Sequence, residues 1–149
     1  MPVREAELGD LAILCELVRE LARFERLSAE VVFEEADFGR HLFGPDAVAR
    51  ALVAVTDAGE VVGFALWFRS FSTFLGRPGI WLEDLFVRPE HRGRGHGREL
   101  LAALRARTDG RVEWSVLDWN EPAQALYRSL GASPVDGWST WRWPPPPTS

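Results

Sequence analysis

Hydrophobic positions recur along this chain with two different periods, and the changes from one to the other mark out its elements. The short apolar start from Pro2 to Ala6 suits an edge strand, and Gly9-Asp10 then offers a helix start with Asp10 as N-cap. Leu11, Leu14, Val18, Leu21 and Ala22 follow at three- and four-residue intervals, which predicts a helix with one apolar face running to about Phe24. Ser28 to Leu42 reads as a loop and a second, less regular helix. Ala51 to Val55 and Val61 to Phe68 are β-rich runs around Asp57-Ala58-Gly59-Glu60, so two antiparallel strands joined by a turn are expected. Ser70 to Gly79, with its glycines, proline and serines, reads as a loop, and Ile80 to Val87 as a strand that Arg88-Pro89-Glu90 ends. Helical spacing returns from Gly97 to Arg107 through Leu100, Leu101 and Leu104, and Asp109-Gly110 closes that helix. Arg111 to Leu117 alternates as a strand, and Glu121 to Leu130 is a short helix with Pro122 in its first turn and Gly131 at its end. Ala132 to Trp143 can supply a final hairpin, and Pro144 to Pro147 with Thr148-Ser149 predict an exposed, extended tail.

Composition narrows the function more than the fold. A chain of 149 residues that is 46% hydrophobic fits one domain, expected over residues 1–143 with 144–149 as tail. The net charge of -5 lacks the basic footprint of a nucleic-acid binder and favours cationic small molecules in the long-range field. No apolar run is long enough to span a bilayer and no basic-then-apolar leader opens the chain, so no membrane partner and a cytoplasmic location are expected. Cys15, the single cysteine, sits in an apolar helical run and reads as a buried structural thiol.

Three segments carry chemistry. Arg92-Gly93-Arg94-Gly95-His96-Gly97 lies between a strand and a helix, where glycines allow close backbone approach and the helix N-terminus attracts an anion; Arg92 and Arg94 add charge-assisted donors, so a pyrophosphate suits it. A plain structural helix start has the same appearance. The spacing departs from both the dinucleotide fingerprint and the P-loop. In Leu82-Glu83-Asp84-Leu85-Phe86-Val87 two adjacent acids interrupt an apolar strand, and neighbouring strand residues face opposite ways unless the strand is distorted, so one acid is expected to point inward with a raised pKa. An edge strand with solvated acids is the other reading. The run Leu117-Asp118-Trp119-Asn120-Glu121-Pro122 takes a strand end into a helix with Asn120 placed to cap it. Spacing alone leaves Tyr127, further along that helix, a core aromatic with a hydrogen-bonded hydroxyl.

Taken in order, Leu82–Val87, Arg92–Gly97, Trp119–Pro122 and Leu126-Tyr127 resemble the GNAT superfamily of N-acetyltransferases, and more narrowly its diamine (spermidine/spermine) acetyltransferase branch. The likeness runs from Val3 to the final hairpin, with a weaker echo in Arg19 to Glu25. It implies an α/β (α+β) fold: a mixed, mostly antiparallel twisted sheet flanked by helices, bulged and splayed between the fourth and fifth strands. It implies acetyl-CoA as cosubstrate, its pantetheine arm on backbone groups of Leu85, Phe86 and Val87, its pyrophosphate on Arg92, Gly93, Arg94, Gly95, His96 and Gly97, and its arm also touching Asn120. The implied reaction is direct attack by a neutral primary amine of a small molecule on the thioester, with Glu83 as general base and Tyr127 as the acid that protonates the CoA thiolate. Glu25, Glu83 and Asp84 would hold a cationic acceptor, with Trp119 offering a ring to its ammonium. No metal enters this chemistry. A homodimer is usual in the resembled branch, and Trp138 to Trp143 serves equally as contact surface or core. Two departures stand out: the 71–79 segment carries Arg77, which would repel a polycation, and the connection between the Leu100–Arg107 helix and the next strand looks trimmed. A GNAT enzyme acting on a protein N-terminus or side chain, or a non-catalytic acyl-CoA binder, are the alternatives.

Overall fold

A computed structural model describes residues 2–147 of the chain, which forms two compact units divided between Ser115 and Val116. The first unit is built on β1 (Val3–Glu5), β2 (Arg50–Val55), β3 (Val61–Ser72), β4 (Arg77–Val87) and β5 (Val112–Glu113), lying side by side in that order. The first three pairings are antiparallel and β4–β5 is parallel. Helices α1 (Leu11–Phe24), α2 (Glu35–Phe43) and α3 (His96–Arg105) complete that unit, and α4 (Glu121–Ser129) lies in the second.

Strand alternation sorts the core into two layers. Ala51, Val53, Phe64, Leu66 and Phe86 share one face of the sheet and pack with Leu14, Leu17 and Leu21 of α1. Those leucines stand three and four residues apart, the spacing that lines one side of a helix. Between them on the strands, Leu52, Ala54, Ala65 and Trp67 point the opposite way, toward the face against which α3 packs with the fully buried Leu100 and Leu104. Each such leucine contributes roughly 1.5–3 kcal/mol by leaving water. Cys15 of α1 is fully buried and its thiol pKa is pushed up by burial, as befits a structural cysteine.

Several expectations need correction. Asp10 does not cap α1: its carboxylate receives both Arg4 guanidinium nitrogens at 2.8 and 3.0 Å and the Glu7 N–H at 2.7 Å. The Arg4 bond holds its pKa below the usual range against the opposing effect of burial. The segment read as a loop at 70–79 is mostly strand, with Ser70↔Gly79, Phe71↔Pro78 and Ser72↔Arg77 in register. Pro78 is tolerated near the start of β4, where a missing N–H costs least. Arg111 to Leu117 forms a strand only over Val112–Glu113. The hairpin expected over Ala132–Trp143 is not formed: Pro134 removes a donor, Gly137 turns the chain at φ 85°, and Trp138, Trp141 and Trp143 are 81%, 90% and 97% exposed. Pro144–Pro147 are exposed without regular structure, and Thr148-Ser149 of the expected tail lie outside the described residues.

The trimmed connection after α3 is sewn onto the start of β4. Thr108 Oγ1 donates to the Pro78 carbonyl at 3.0 Å and accepts from Gly110 N–H at 3.0 Å, while Ile80 N–H bonds the Arg111 carbonyl at 2.8 Å. A Cβ on Gly110 would collide with the Pro78 carbonyl oxygen, so backbone packs directly on backbone here.

The other end of β4 is held by Arg88. Its Nε and Nη2 donate to the two carboxylate oxygens of Glu20 at 3.1 and 2.8 Å, and Nη2 also reaches Glu16 at 3.1 Å. Glu16 and Glu20 are one helical turn apart on α1, so this fork ties the strand end to the helix. The Arg88 and Glu20 side chains are only 16% and 21% exposed, which makes the pair stronger than an ordinary surface bridge. Arg88→Met should therefore lower stability by about 2 kcal/mol in urea unfolding with an unchanged m-value; a loss below about 0.5 kcal/mol would remove this clamp from the account.

Candidate active site

One extra residue in β4 shapes the site. Reading back from its end, the β3–β4 register runs Gly63↔Val87, Phe64↔Phe86, Ala65↔Leu85 and Leu66↔Asp84, and then resumes at Trp67↔Leu82. Glu83 has no opposite number, so it is the bulged residue. Leu82 and Leu85, three apart, thereby stand opposite Trp67 and Ala65 on one face, which a regular strand would forbid. Asp84 falls opposite Leu66 on the face that α1 covers.

The expected contrast between the two acids is present, with Asp84 the inward one. Glu83 is exposed and accepts a hydrogen bond from Trp81 Nε1 at 3.1 Å. Asp84 is pushed up to about 7, first by burial and then by the negative charges of Glu83 and Glu25. Glu25, at the C-cap of α1, is itself raised by burial. Three carboxylates thus converge on the bulge, and a protonated amine placed among them would relieve their mutual repulsion. Arg77 does not disturb this: it pairs with Asp109 at 3.4 Å, at the far end of β4. It lies about 20 Å along the strand from Asp84, roughly twice the physiological Debye length. A groove of about 280 Å³ between α1 and the turn at Ser28–Glu30 is lined by Arg19, Ala22, Arg23, Ser28 and Val31, so it contains none of the predicted residues and two cations unsuited to an ammonium.

The loop after β4 has the backbone geometry that suits an anion. Gly93 and Gly95 take φ of 78° and 87°, values that residues with a Cβ rarely adopt. The first backbone bond of α3 runs from Glu99 N–H to the Gly95 carbonyl at 3.0 Å, so the N–H groups of His96 and Gly97 lie ahead of the helical ladder. His96 Nδ1 is buried and, among the described residues, has no hydrogen-bond partner, as expected of a group that a ligand completes. Next to the loop, β5 pairs only with Ile80 and Trp81, which leaves Leu82 to Val87 without a ladder partner on that edge among the described residues. An extended arm could add there as a strand. These features fit a pyrophosphate joined to a pantetheine-like chain.

The arginines depart from the simplest expectation. Arg94 Nη1 comes within 3.4 Å of His91 Nδ1. Arg92 is exposed but folds back along the chain: its Nε donates to the Val87 carbonyl at 2.8 Å, and its guanidinium lies 5.0 Å from the Phe24 ring and 5.4 Å from that of Phe86.

The second unit carries Trp119, Asn120 and Tyr127. Asn120 caps α4 as expected, its Oδ1 accepting from Ala123 N–H at 3.3 Å. Tyr127 is half-buried and Trp119 is half-exposed. Two residues of the arrangement escape the motif reading. Gln124 holds the entry to α4 through the carbonyls of Leu117 and Asp118 at 3.3 and 3.0 Å, and Trp81 steadies Glu83. The i, i+2 spacing of Trp81 and Glu83 on a strand was the available signal.

A mixed, open sheet with an acidic bulge in β4 and a glycine loop ahead of α3 suits an acyl-CoA-type acetyltransferase, and comparison with known proteins agrees. Residues 13–132 match the acetyltransferase (GNAT) family, so the chain belongs to that family and is an N-acetyltransferase. The family uses acetyl-CoA. The thialysine N-epsilon-acetyltransferase of Bos taurus is 36% identical over 94% of this chain and 90% of its own. The L-ornithine N5-acetyltransferase of Arabidopsis thaliana is 34% identical over 79% of this chain and 49% of its own. In fold, the chain is similar to the ribosomal-protein-alanine N-acetyltransferase from Brucella melitensis, with a TM-score of 0.74 at 21% identity, covering 97% and 99% of the two chains.

The raised Asp84 makes a signed prediction. Its pKa is higher folded, about 7, than in the unfolded chain, near 3.8, so the folded state binds more protons and stability falls as pH rises between those values. Asp84→Asn should therefore stabilise the protein at pH 8, by an amount on the order of 2–4 kcal/mol, and change it by less than about 1 kcal/mol at pH 4.5. Urea unfolding at the two pH values checks this; equal effects at both would contradict the buried carboxylate.

Proposed function

We propose that this chain transfers the acetyl group of acetyl-CoA to a primary amine of a small, cationic amino acid or diamine, in a ternary complex. The observation that carries the reading is the bulge at Glu83 with Asp84 held near 7 between Glu83 and Glu25. An alkylammonium with a reference pKa near 10.4 enters charged and must lose a proton before it can attack. The Glu83–Asp84 pair does this work: exposed Glu83 meets the ammonium, and Asp84, titrating near neutrality, suits a general base. Glu25 and the ring of Trp119 steady the rest of the acceptor. The free amine forms a C–N bond to the thioester carbonyl, backbone N–H groups at the bulge stabilise the developing oxyanion, and the C–S bond breaks. Tyr127 gives its proton to the departing CoA thiolate and regains one from the nitrogen of the collapsing adduct, leaving a neutral N-acetyl product and free CoA.

Acetyl-CoA would lie with its pantetheine along Leu85, Phe86 and Val87, touching Asn120, and its pyrophosphate on the backbone of Arg92 to Gly97. The free edge of β4 and the N–H groups of His96 and Gly97 support that placement. In this proposal the two compact units act as one catalytic domain. Thialysine and ornithine, the acceptors named for two relatives, are the first amines to test. A cytoplasmic homodimer is the setting we propose; no helix among the described residues is long and apolar enough to cross a membrane.

Thiol release from acetyl-CoA across a panel of thialysine, ornithine, lysine, putrescine and spermidine tests the reading. The parent should release thiol with at least one of them, and its kcat/KM for the amine should rise through about pH 7. Asp84→Asn should abolish that rise, and Tyr127→Phe should lower kcat by roughly a hundredfold. Tight CoA binding without thiol release from any amine would sink the enzyme reading, and loss of the pH limb in Glu83→Gln alone would return the base to Glu83.

A further inference from the structure

We infer that the Arg92 side chain is a positioning residue that ties the cofactor loop to the amine site, and is not itself a ligand of the pyrophosphate. The inference rests on the acetyl-transfer reading above and concerns how its two halves are held together. Arg92 opens the glycine loop, yet its side chain reaches back to three points around the carboxylates. Its Nε donates to the carbonyl of Val87, the last residue of β4, at 2.8 Å. Its guanidinium lies 5.0 Å from Phe24, the last residue of α1, and 5.4 Å from Phe86, a core residue 5% exposed. Phe24 immediately precedes Glu25, and Phe86 stands two residues beyond Asp84.

Those contacts use the features that distinguish arginine from a simple cation. A planar guanidinium stacks on rings and directs Nε–H sideways into a carbonyl, whereas a phosphate ligand presents its fork outward to solvent and anion. Desolvation against the rings lowers the Arg92 pKa, in part offset by the charge of Glu90. A ligand settling on the loop backbone therefore acts, through one side chain, on both the free edge of β4 and the end of α1. Arg94, which approaches His91 Nδ1 at 3.4 Å and is exposed, is left to answer the pyrophosphate charge.

The test compares acetyl-CoA with S-acetylpantetheine, a donor without the diphosphate, using Arg92→Ala, Arg92→Lys and Phe24→Leu beside the parent. Arg92→Ala should raise KM for the amine and for both donors, each by about tenfold. Arg92→Lys keeps the charge but loses the planar face and the Nε–H, so it should behave like Arg92→Ala. Phe24→Leu, which leaves the loop intact, should raise the amine KM and spare the donor KM, a split that general loss of structure would not produce. Rescue by Arg92→Lys, or a defect confined to the diphosphate donor, would make Arg92 a phosphate ligand and overturn the inference. Dissociation constants of CoA and pantetheine, read from tryptophan fluorescence, give the donor comparison without turnover. Failure of the parent to acetylate any amine would thus count against the acetyl-transfer reading and leave the Arg92 comparison decided by binding.

Discussion

The site depends on a single unpaired residue in a sheet. Glu83 interrupts the β3–β4 register by one position, and the acidic cluster of the first unit is arranged around that interruption. An acid can enter an apolar strand here because the bulge takes up its extra length and leaves it exposed, while Leu82 and Leu85 keep their places against the α3 face. The same offset sets Asp84 on the α1 side, where burial and two negative neighbours hold it close to neutrality. A carboxylate in that condition costs stability in the free protein. Its retention makes physical sense if a cationic ligand relieves the repulsion.

Both ends of the bulged strand are restrained. At its start, Thr108, Gly110 and Arg111 close the short α3–β5 connection against Pro78 and Ile80, so β5 pairs with only two residues and then leaves. At its finish, Arg88 grips Glu16 and Glu20 on α1, and Arg92 takes the Val87 carbonyl. Between those anchors Leu82 to Val87 have no ladder partner on the β5 side among the described residues, and that is the edge to which we propose the acyl-carrying arm adds.

Much of this was legible in the residues. The period of α1, the β2–β3 turn, the capping Asn120 and the glycine loop ahead of α3 all carry local signals, because helix faces, turns and caps are set by neighbours in sequence. Motif order supplied the family, and the adjacent acids at 83 and 84 announced a distorted strand. What could not be read was which acid turns inward, because that depends on pairing with Leu66 and Trp67, residues distant in sequence. Asp10 was misassigned for a similar reason: its partner is Arg4 on a strand, which outcompetes the helix N-terminus for its carboxylate. The 132–143 segment shows the opposite failure, since its richness in tryptophan looks like a strand while Pro134 and the turn at Gly137 stand in a stretch with no ladder. Arg92 reads as a phosphate cation in the motif, and only the three-dimensional neighbourhood of Phe24, Phe86 and Val87 gives it another task.

The account is tested most directly by titrating the Asp84 side-chain carboxyl carbon by NMR in the free protein, with Asp84→Asn to assign the signal. A midpoint near 7, moving down when Glu83 is changed to Gln, is the predicted result. A midpoint near the ordinary aspartate value, about 3.9, would mean that the bulge holds no perturbed carboxylate, and the central claim would be wrong.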